Sequence, residues 1–585
     1  MRRPVLLALL VVLALPARAA AHASLTGGAP EPGGVATTAP RTLSLRFDEA
    51  VDPALAVVRV EDARGRRYDA GPVRATPGRG LRVALRRGLP DGQYVVLYRV
   101  VSDDGHTIPG GYGFAVGRDA VPPPARLGGG GPEIRAAAGL GTAEAIARGV
   151  RDGGLAVVAG ALAFLALVWL RALPEAAGGG EDWRAAGAAF ARALRRLVAA
   201  AAAAGALGAV AGIVLTASAT TLDATTVRAV LDTRFGTSTA AGAALLLAIA
   251  LLAAVGLRPR RARERGVLRT AQLGATGLAV APVATTRRVT VAAGAVALAL
   301  AAVPVLAGHA TTRAHPVLLT ATGVVHVLAA SAWTGGIAAL LVAVAVATRR
   351  LEPVDRTVLL RAVLRRFSRV ALAAVVAIAA TGAVQALVEV GSPDALIHTG
   401  FGRAVLIKVG LLVALAGVAA AHRTEHLPRL DARLRRHDSP GPAGAAIRST
   451  LRVEALGLLA VLAVTGALAG SAPPAGAPPG PAALAVAFEQ ATLRGSLAPA
   501  RAGSNTLSFT LARRGGDVAF DDLERVLVTA RGPHGATVRA AVPGRRDGSY
   551  RVPLRLPAAG TWRLALTLRV DAFNAFTRDV RVRVH

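Results

Sequence analysis

The chain has 585 residues, 53% of them hydrophobic, 18% charged and 4% aromatic, with a mean hydropathy of +0.48. That composition excludes a disordered chain and an ordinary soluble enzyme, and describes an integral membrane protein with room for several domains. The formal charge of +32 has no zinc finger, RNA-binding signature or aromatic-studded basic groove beside it, which argues against nucleic acid, and zero cysteines exclude disulfides and thiolate metal sites.

Residues 1–21 open with Arg2 and Arg3, run apolar from Pro4 to Leu15, and break at Pro16 before small residues. This pattern predicts a secretory signal peptide. Ala19 and Ala21 satisfy the small-x-small rule, so a cut after Ala21 makes His22 the first residue; Ala17 with Ala19, or Ala20, offers a neighbouring cut. A leading histidine carries an α-amine and an imidazole nitrogen that chelate one ion together. Met1 is the only methionine, so the processed chain would keep no sulfur ligand.

Residues 22–117 predict a β-sandwich or barrel, with strands at 43–47, 55–62, 81–85, 94–102 and 111–117 between Gly, Pro and Asp turns. By itself Asp103-Asp104-Gly105-His106 reads as a polar hairpin turn. His22-Ala23, the LSLRFDEAV run at 43–51 and above all Tyr94 to Gly117 resemble the periplasmic copper-binding CopC family. The resemblance implies a copper(II) site built from His22, Asp104 and His106. Those residues would supply three nitrogens and one oxygen, a set that suits the tetragonal preference of copper(II). Copper(I)-binding relatives use a Met-rich segment; this chain has none, so only the copper(II) half carries over.

Residues 118–145 are rich in Pro and Gly and predict a linker. A membrane domain over 146–471 follows, with eight apolar spans at about 153–171, 190–215, 239–257, 289–307, 319–347, 368–388, 403–421 and 453–470. Segment 272–284, short and carrying Pro282, is expected to be an interfacial or loop piece, the alternative being a ninth crossing. The loops 258–288, 348–367 and 422–452 hold eight, six and seven arginines, whereas 216–238, 308–318 and 389–402 hold two, one and none. This positive-inside bias predicts that the first set is cytoplasmic and that both soluble domains lie outside.

Gly308-His309-Ala310, the stretch His326 to Gly336 and the stretch Phe401 to Lys408 resemble the CopD family over about 145–470. The fused arrangement resembles copper-uptake proteins of the YcnJ type. It implies a transmembrane path with His309 and His315 at the outer end of the fourth span and His326 about two turns into the fifth. An ionisable residue inside a span is a functional candidate by default. The alternatives are a hydrogen-bonded packing histidine at His326 and interfacial loop residues at His309 and His315. Trp333 reads as lining for the path or as an interfacial anchor, and Gly335 and Gly336 as places of close helix contact. Lys408 would pair with a carboxylate or snorkel inward, and Glu389 closes the sixth span on the outer side. His422, His426 and His437 fall in the Arg-rich inner loop and are expected to be solvent-exposed spectators.

After a hinge at 472–481, residues 482–585 alternate apolar and polar residues and predict an Ig-like β-sandwich of six or seven strands. It resembles the small YtkA-like domains, and a packing or partner-recognition role is expected. The fold class is therefore a multidomain membrane protein: a CopC-like β-sandwich or barrel, an eight-helix CopD-like all-α domain and a C-terminal sandwich. The expected function is external copper(II) binding and copper import across the plasma membrane, without enzymatic activity. Its partners would be the copper ion, the lipid bilayer and an extracytoplasmic copper chaperone; nucleotide-binding motifs are lacking. The rival readings are copper sequestration or sensing without transport, and a haem oxidoreductase using His309 and His326.

Overall fold

The computed structural model describes residues 25–47, 51–62, 64–102, 105, 107–117, 132–176, 181–218, 222–255, 283–308, 316–469, 482–498, 500–513, 523–545, 548–571 and 574–584. His22, Asp104, His106, His309 and His315 lie outside these residues, as do the expected signal peptide, most of segment 272–284 and the expected hinge.

The N-terminal domain packs two four-stranded sheets face to face. One has the order β1 (Leu25–Ala29), β3 (Thr42–Phe47), β6 (Gly80–Leu85), β5 (Asp69–Thr76). The other runs β2 (Val35–Ala36), β8 (Thr107–Val116), β7 (Gly92–Val101), β4 (Val57–Asp62). Period-two alternation puts Leu43, Leu45 and Phe47 of β3 inward while Thr42 and Arg46 stay exposed. They meet Val60, Val96, Tyr112 and Phe114 from the opposite sheet. The expected strands are all present. Strands β1, β2 and β5 were not expected, because β1 is glycine-rich, β2 has two residues and β5 is largely exposed.

Among the described residues, eight helices are long and apolar enough to cross a membrane: α1 (Gly141–Ala176), α2 (Glu181–Ser218), α4 (Arg234–Val255), α5 (Arg288–Ala307), α6 (Pro316–Thr348), α7 (Pro353–Val390), α9 (Gly400–Arg435) and α10 (Gly441–Leu468). Two short helices, α3 (Ala224–Asp232) and α8 (Pro393–His398), cap the loops between them. The side chains of Asp223, Ser392 and Thr399 each accept from the backbone N–H three residues on, which starts α3, α8 and α9. The chain is already helical from Pro132, so the second half of the expected linker extends α1. Spans of 36 or 38 residues are about 55 Å long at 1.5 Å per residue, well beyond the hydrocarbon thickness, so α1, α2, α7 and α9 project past it. Val317, Leu252, Leu387 and Val413 are exposed on the outside of the bundle, as lipid-facing residues must be.

Small residues let the helices touch. A Cβ at Gly160 of α1 would lie 1.8 Å from the Ser331 carbonyl oxygen of α6, and one at Gly335 would lie 2.5 Å from Gly160 Cα. Without a hydrophobic drive inside lipid, such backbone contact is what holds spans together. Gly336 is likewise filled by Phe367 of α7, so both glycines of the tryptophan motif are packing positions. The aromatic core is compact, with Trp169 stacked on Phe190 at 3.6 Å between ring centres. Arg361 pairs with Asp431, and Arg366 with Glu175, tying α7 to α9 and α1.

The C-terminal domain is an eight-stranded sandwich. Its sheets run β14 (Ser549–Leu556), β11 (Gly503–Arg513), β10 (Ala491–Ala498), β9 (Ala482–Ala487) and β13 (Thr537–Pro543), β12 (Arg525–Arg531), β15 (Gly560–Arg569), β16 (Ala575–Val584). Six or seven strands were expected. The stretch from Leu484 to Leu493 is a hairpin, with Val486 pairing Leu493, rather than one strand, and the half-exposed β13 adds another. Trp562, Leu564, Leu566 and Leu568 alternate into its core. Arg551 donates to the Gly33 carbonyl, so this domain touches the N-terminal one.

Candidate metal centres at the two ends of the bundle

The hairpin β7–β8 pairs Val101 with Thr107, so residues 102–106 form its tip. Ser102 is fully buried, bridges to Val51, and accepts from the Gly105 amide at 2.8 Å. Gly105 has φ +79, a conformation open to glycine. Topology brings the start of β1 to the same end of the sandwich. Leu25 pairs with Phe47, and the chain passes from Phe47 to Val51 and so to Ser102. His22 is three residues before Leu25, and Asp104 and His106 flank Gly105 in sequence.

This end of the domain sits on the helix bundle. A Cβ on Gly105 would lie 2.2 Å from Phe235 Cγ, in the first turn of α4. Thr107 donates to Glu144 of α1 at 2.9 Å, and Glu144 in turn lies 3.7 Å from Arg148. Leu55 and Val101 of the β domain share one buried cluster with Ile213, Ala217, Val230, Phe235 and Ala307, which come from α2, α3, α4 and α5. The buried phenols of the sandwich lie farther along the hairpin from this tip, Tyr94 pairing with Phe114 and Tyr112 with Val96, and offer it no ligand. Burial pushes Tyr94 up to about 12, with its hydroxyl donating to Pro90 O, and also pushes Tyr112 up, with its hydroxyl donating to Pro30 O.

Inside the bundle, His326 of α6 lies about 15 Å along the helix from Pro316, near mid-membrane. Its position is fixed by its neighbours rather than by depth: Nδ1 is 2.9 Å from the Thr381 hydroxyl of α7. That hydroxyl gives its single hydrogen to Ala377 O at 2.6 Å, so it accepts from His326 Nδ1–H. The lone pair of the neutral ring is thereby on Nε2. Lys408 of α9 lies within electrostatic reach of His326 and of Glu389.

Trp333 does not stand alone. Its indole N–H points to Glu454 Oε2 of α10 at 3.3 Å, and Glu454 Oε1 is 2.7 Å from His422 Nε2 of α9. His426 packs beside His422 with ring centres 5.2 Å apart. His422 and His426 are 4% and 3% exposed, and Glu454 is fully buried. The expectation that they are solvent-exposed spectators is therefore wrong for these two histidines; His437 is exposed. The polar run HRTEH suggested the end of a span, but α9 continues through it as a π-helical turn to Arg435. Glu454, a carboxylate within an apolar span, was the missed signal.

Among the described residues, no group of three or more His, Cys, Asp or Glu gathers as a metal cage.

A helix bundle apolar enough to span a membrane, with a β-sandwich seated on one end, is the layout of a multidomain membrane protein. Residues 25–117 match the CopC domain family and residues 361–468 match the copper resistance protein D family, and the chain belongs to this CopC–CopD copper-resistance family. The second match begins at Arg361, so it takes in α9, α10, His422, His426 and Glu454 but leaves His326 and Trp333 outside. The protein YobA of Escherichia coli K12 is 32% identical over 98 residues, covering 16% of this chain and 79% of YobA, with the same figures for YobA of Shigella flexneri. Among solved structures, CopC from Methylosinus trichosporium OB3b is 30% identical, with a TM-score of 0.16, over 16% of this chain and 94% of that one. PcoC, a methionine-rich copper resistance protein from Escherichia coli, is 26% identical, with a TM-score of 0.15, over 16% and 99%.

Proposed function

We propose that the chain captures copper(II) outside the plasma membrane and passes copper inward through its helix bundle. His22, Asp104 and His106 are the proposed capture ligands, and His326 the first described group on the proposed path, fed by His309 and His315. The observation that carries this reading is the contact of the β7–β8 tip with the bundle. Gly105, between the two proposed ligands in sequence, lies against Phe235, and Thr107 is bonded to Glu144. A domain serving only to sequester metal has no need to press its metal-bearing turn onto the spans. The arginine-rich loops support the orientation, with both soluble domains extracytoplasmic and the copper donor a small extracytoplasmic chaperone.

Cells expressing the chain under limiting external copper should accumulate more copper than cells carrying an empty vector. Proteoliposomes holding the purified chain should take up copper when each valence is supplied in turn. A gain in copper tolerance with unchanged cellular copper and no vesicle flux would instead establish sequestration.

A further inference from the structure

We propose that His422 and His426 hold a copper ion through their Nδ1 atoms, at the end of the bundle farthest from the N-terminal β domain, with Glu454 as the positioning residue. The choice of copper rests on the reading that copper crosses the bundle. The site itself is drawn from the geometry of the two imidazoles.

Both histidines are fixed in the same tautomeric sense. Glu454 Oε1 accepts from His422 Nε2–H at 2.7 Å. The Thr450 hydroxyl gives its hydrogen to Ala446 O at 3.0 Å, so at 3.0 Å it accepts from His426 Nε2–H. Each ring is thus left with Nδ1 as its free nitrogen, and both Nδ1 atoms are buried without a hydrogen-bond partner. A buried polar atom without a partner costs about 1–3 kcal/mol. Two of them on rings 5.2 Å apart need a shared explanation. Imidazoles that share an ion with nitrogens at about 2 Å have ring centres about 5 Å apart at a tetrahedral angle and about 6 Å apart when the nitrogens are opposed, so this pair fits a bent site and would open slightly for a linear one.

Charge points the same way. Glu454 is fully buried, and a buried carboxylate needs a compensating positive charge. A metal ion at Nδ1 supplies the charge and removes the orphaned atom together. The carboxylate–histidine–metal chain that results is a recurrent way of fixing a ligand's tautomer and orientation. Trp333 holds the other Glu454 oxygen, so the carboxylate is steadied from a third helix. The π-helical turn His422–His426 is what presents both rings on one face, and such turns recur at functional sites.

The same features select the valence. One carboxylate balances a single positive charge. Two nitrogens satisfy monovalent copper, whereas copper(II) seeks a tetragonal set and zinc four ligands. His422 lies about 33 Å along α9 from Gly400, so the pair would meet copper at the far end of the path that starts beneath Gly105.

The test uses the purified full chain carrying one additional residue before His22, which disables the outer site. Copper(I), kept reduced by ascorbate without oxygen, is titrated against bicinchoninate. One equivalent should bind, and its K-edge spectrum should show low-coordinate copper with nitrogen ligands alone. His422→Gln and His426→Gln should each weaken binding by about 10-fold to 100-fold, and Glu454→Leu by a similar factor, whereas Glu454→Gln, which keeps an acceptor oxygen, should lose less. If this chain binds no copper(I), or if the His422→Gln/His426→Gln double variant binds it unchanged, the inner site is overturned. The titration of the unextended chain with copper(II) reads the outer site separately. Because the stoichiometry and spectrum are measured without any helix substitution, misfolding of a variant leaves the proposal testable.

Discussion

Phe235 rests directly on Gly105, so that a methyl group added at Gly105 would lie 2.2 Å from the Phe235 ring carbon, at a backbone φ of +79. Two separate penalties therefore meet any side chain there. The left-handed backbone costs a non-glycine residue about 1–2 kcal/mol, and overpacking against a buried ring costs about 1–3 kcal/mol. Gly105→Ala should loosen the seat of the β domain on the bundle and slow copper uptake by about tenfold or more at equal protein level. Phe235→Ala should relieve the steric part alone. A double-mutant cycle on thermal stability should give a coupling of about 0.5–3 kcal/mol between the two positions. Additive effects would mean that the tip and α4 do not touch.

The sequence shows its apolar spans and its alternating strands because each is a long stretch of one period. Strand β5, with much of its surface exposed, and β1, with paired glycines, carry no such period and are legible only once β3 and β6 are in place to pair with them. The inner histidines were hidden for a different reason. His422 and His426 sit among Arg423, Thr424 and Glu425, a composition that reads as loop. Their burial depends on α10, through Glu454 and Thr450, and on Trp333 of α6 behind Glu454, all tertiary facts. The four-residue spacing of His422 and His426, with a carboxylate inside the next span, was the available hint.

Adding one alanine before His22 should weaken copper(II) binding by at least about 100-fold, since it moves the primary amine away from the imidazole that would chelate with it. Electron paramagnetic resonance of the full chain checks this. Unchanged affinity together with unchanged spectral parameters would show that His22 is not at the mature N-terminus or is not a ligand.

The outer domain should prefer copper(II) over copper(I). No cysteine is present, and the single methionine is Met1, so after processing no soft sulfur ligand remains. In the His422→Gln/His426→Gln background, which removes the inner pair, competition titrations with a probe for each valence should show copper released on reduction. Tight copper(I) retention in that background would require a ligand set other than His22, Asp104 and His106.

His326 should lie on the copper path. Thr381 takes its Nδ1–H, which leaves Nε2 as the nitrogen free to act as a ligand. A packing histidine would make the same Thr381 bond, so the two readings part only on copper accumulation. His326→Ala removes a ring from a helix contact already built of small residues, next to Gly382, so the bundle should lose only about 1–3 kcal/mol and still reach the membrane. Copper accumulation should fall at least about tenfold while copper(II) binding by the outer domain is unchanged. Thr381→Val, which removes the acceptor but keeps the shape, should give a smaller loss by freeing the ring to rotate. Wild-type accumulation by His326→Ala cells, at matched protein level and limiting copper, would leave His326 a packing residue. The route from Gly105 to His422 would then have to run between other helices.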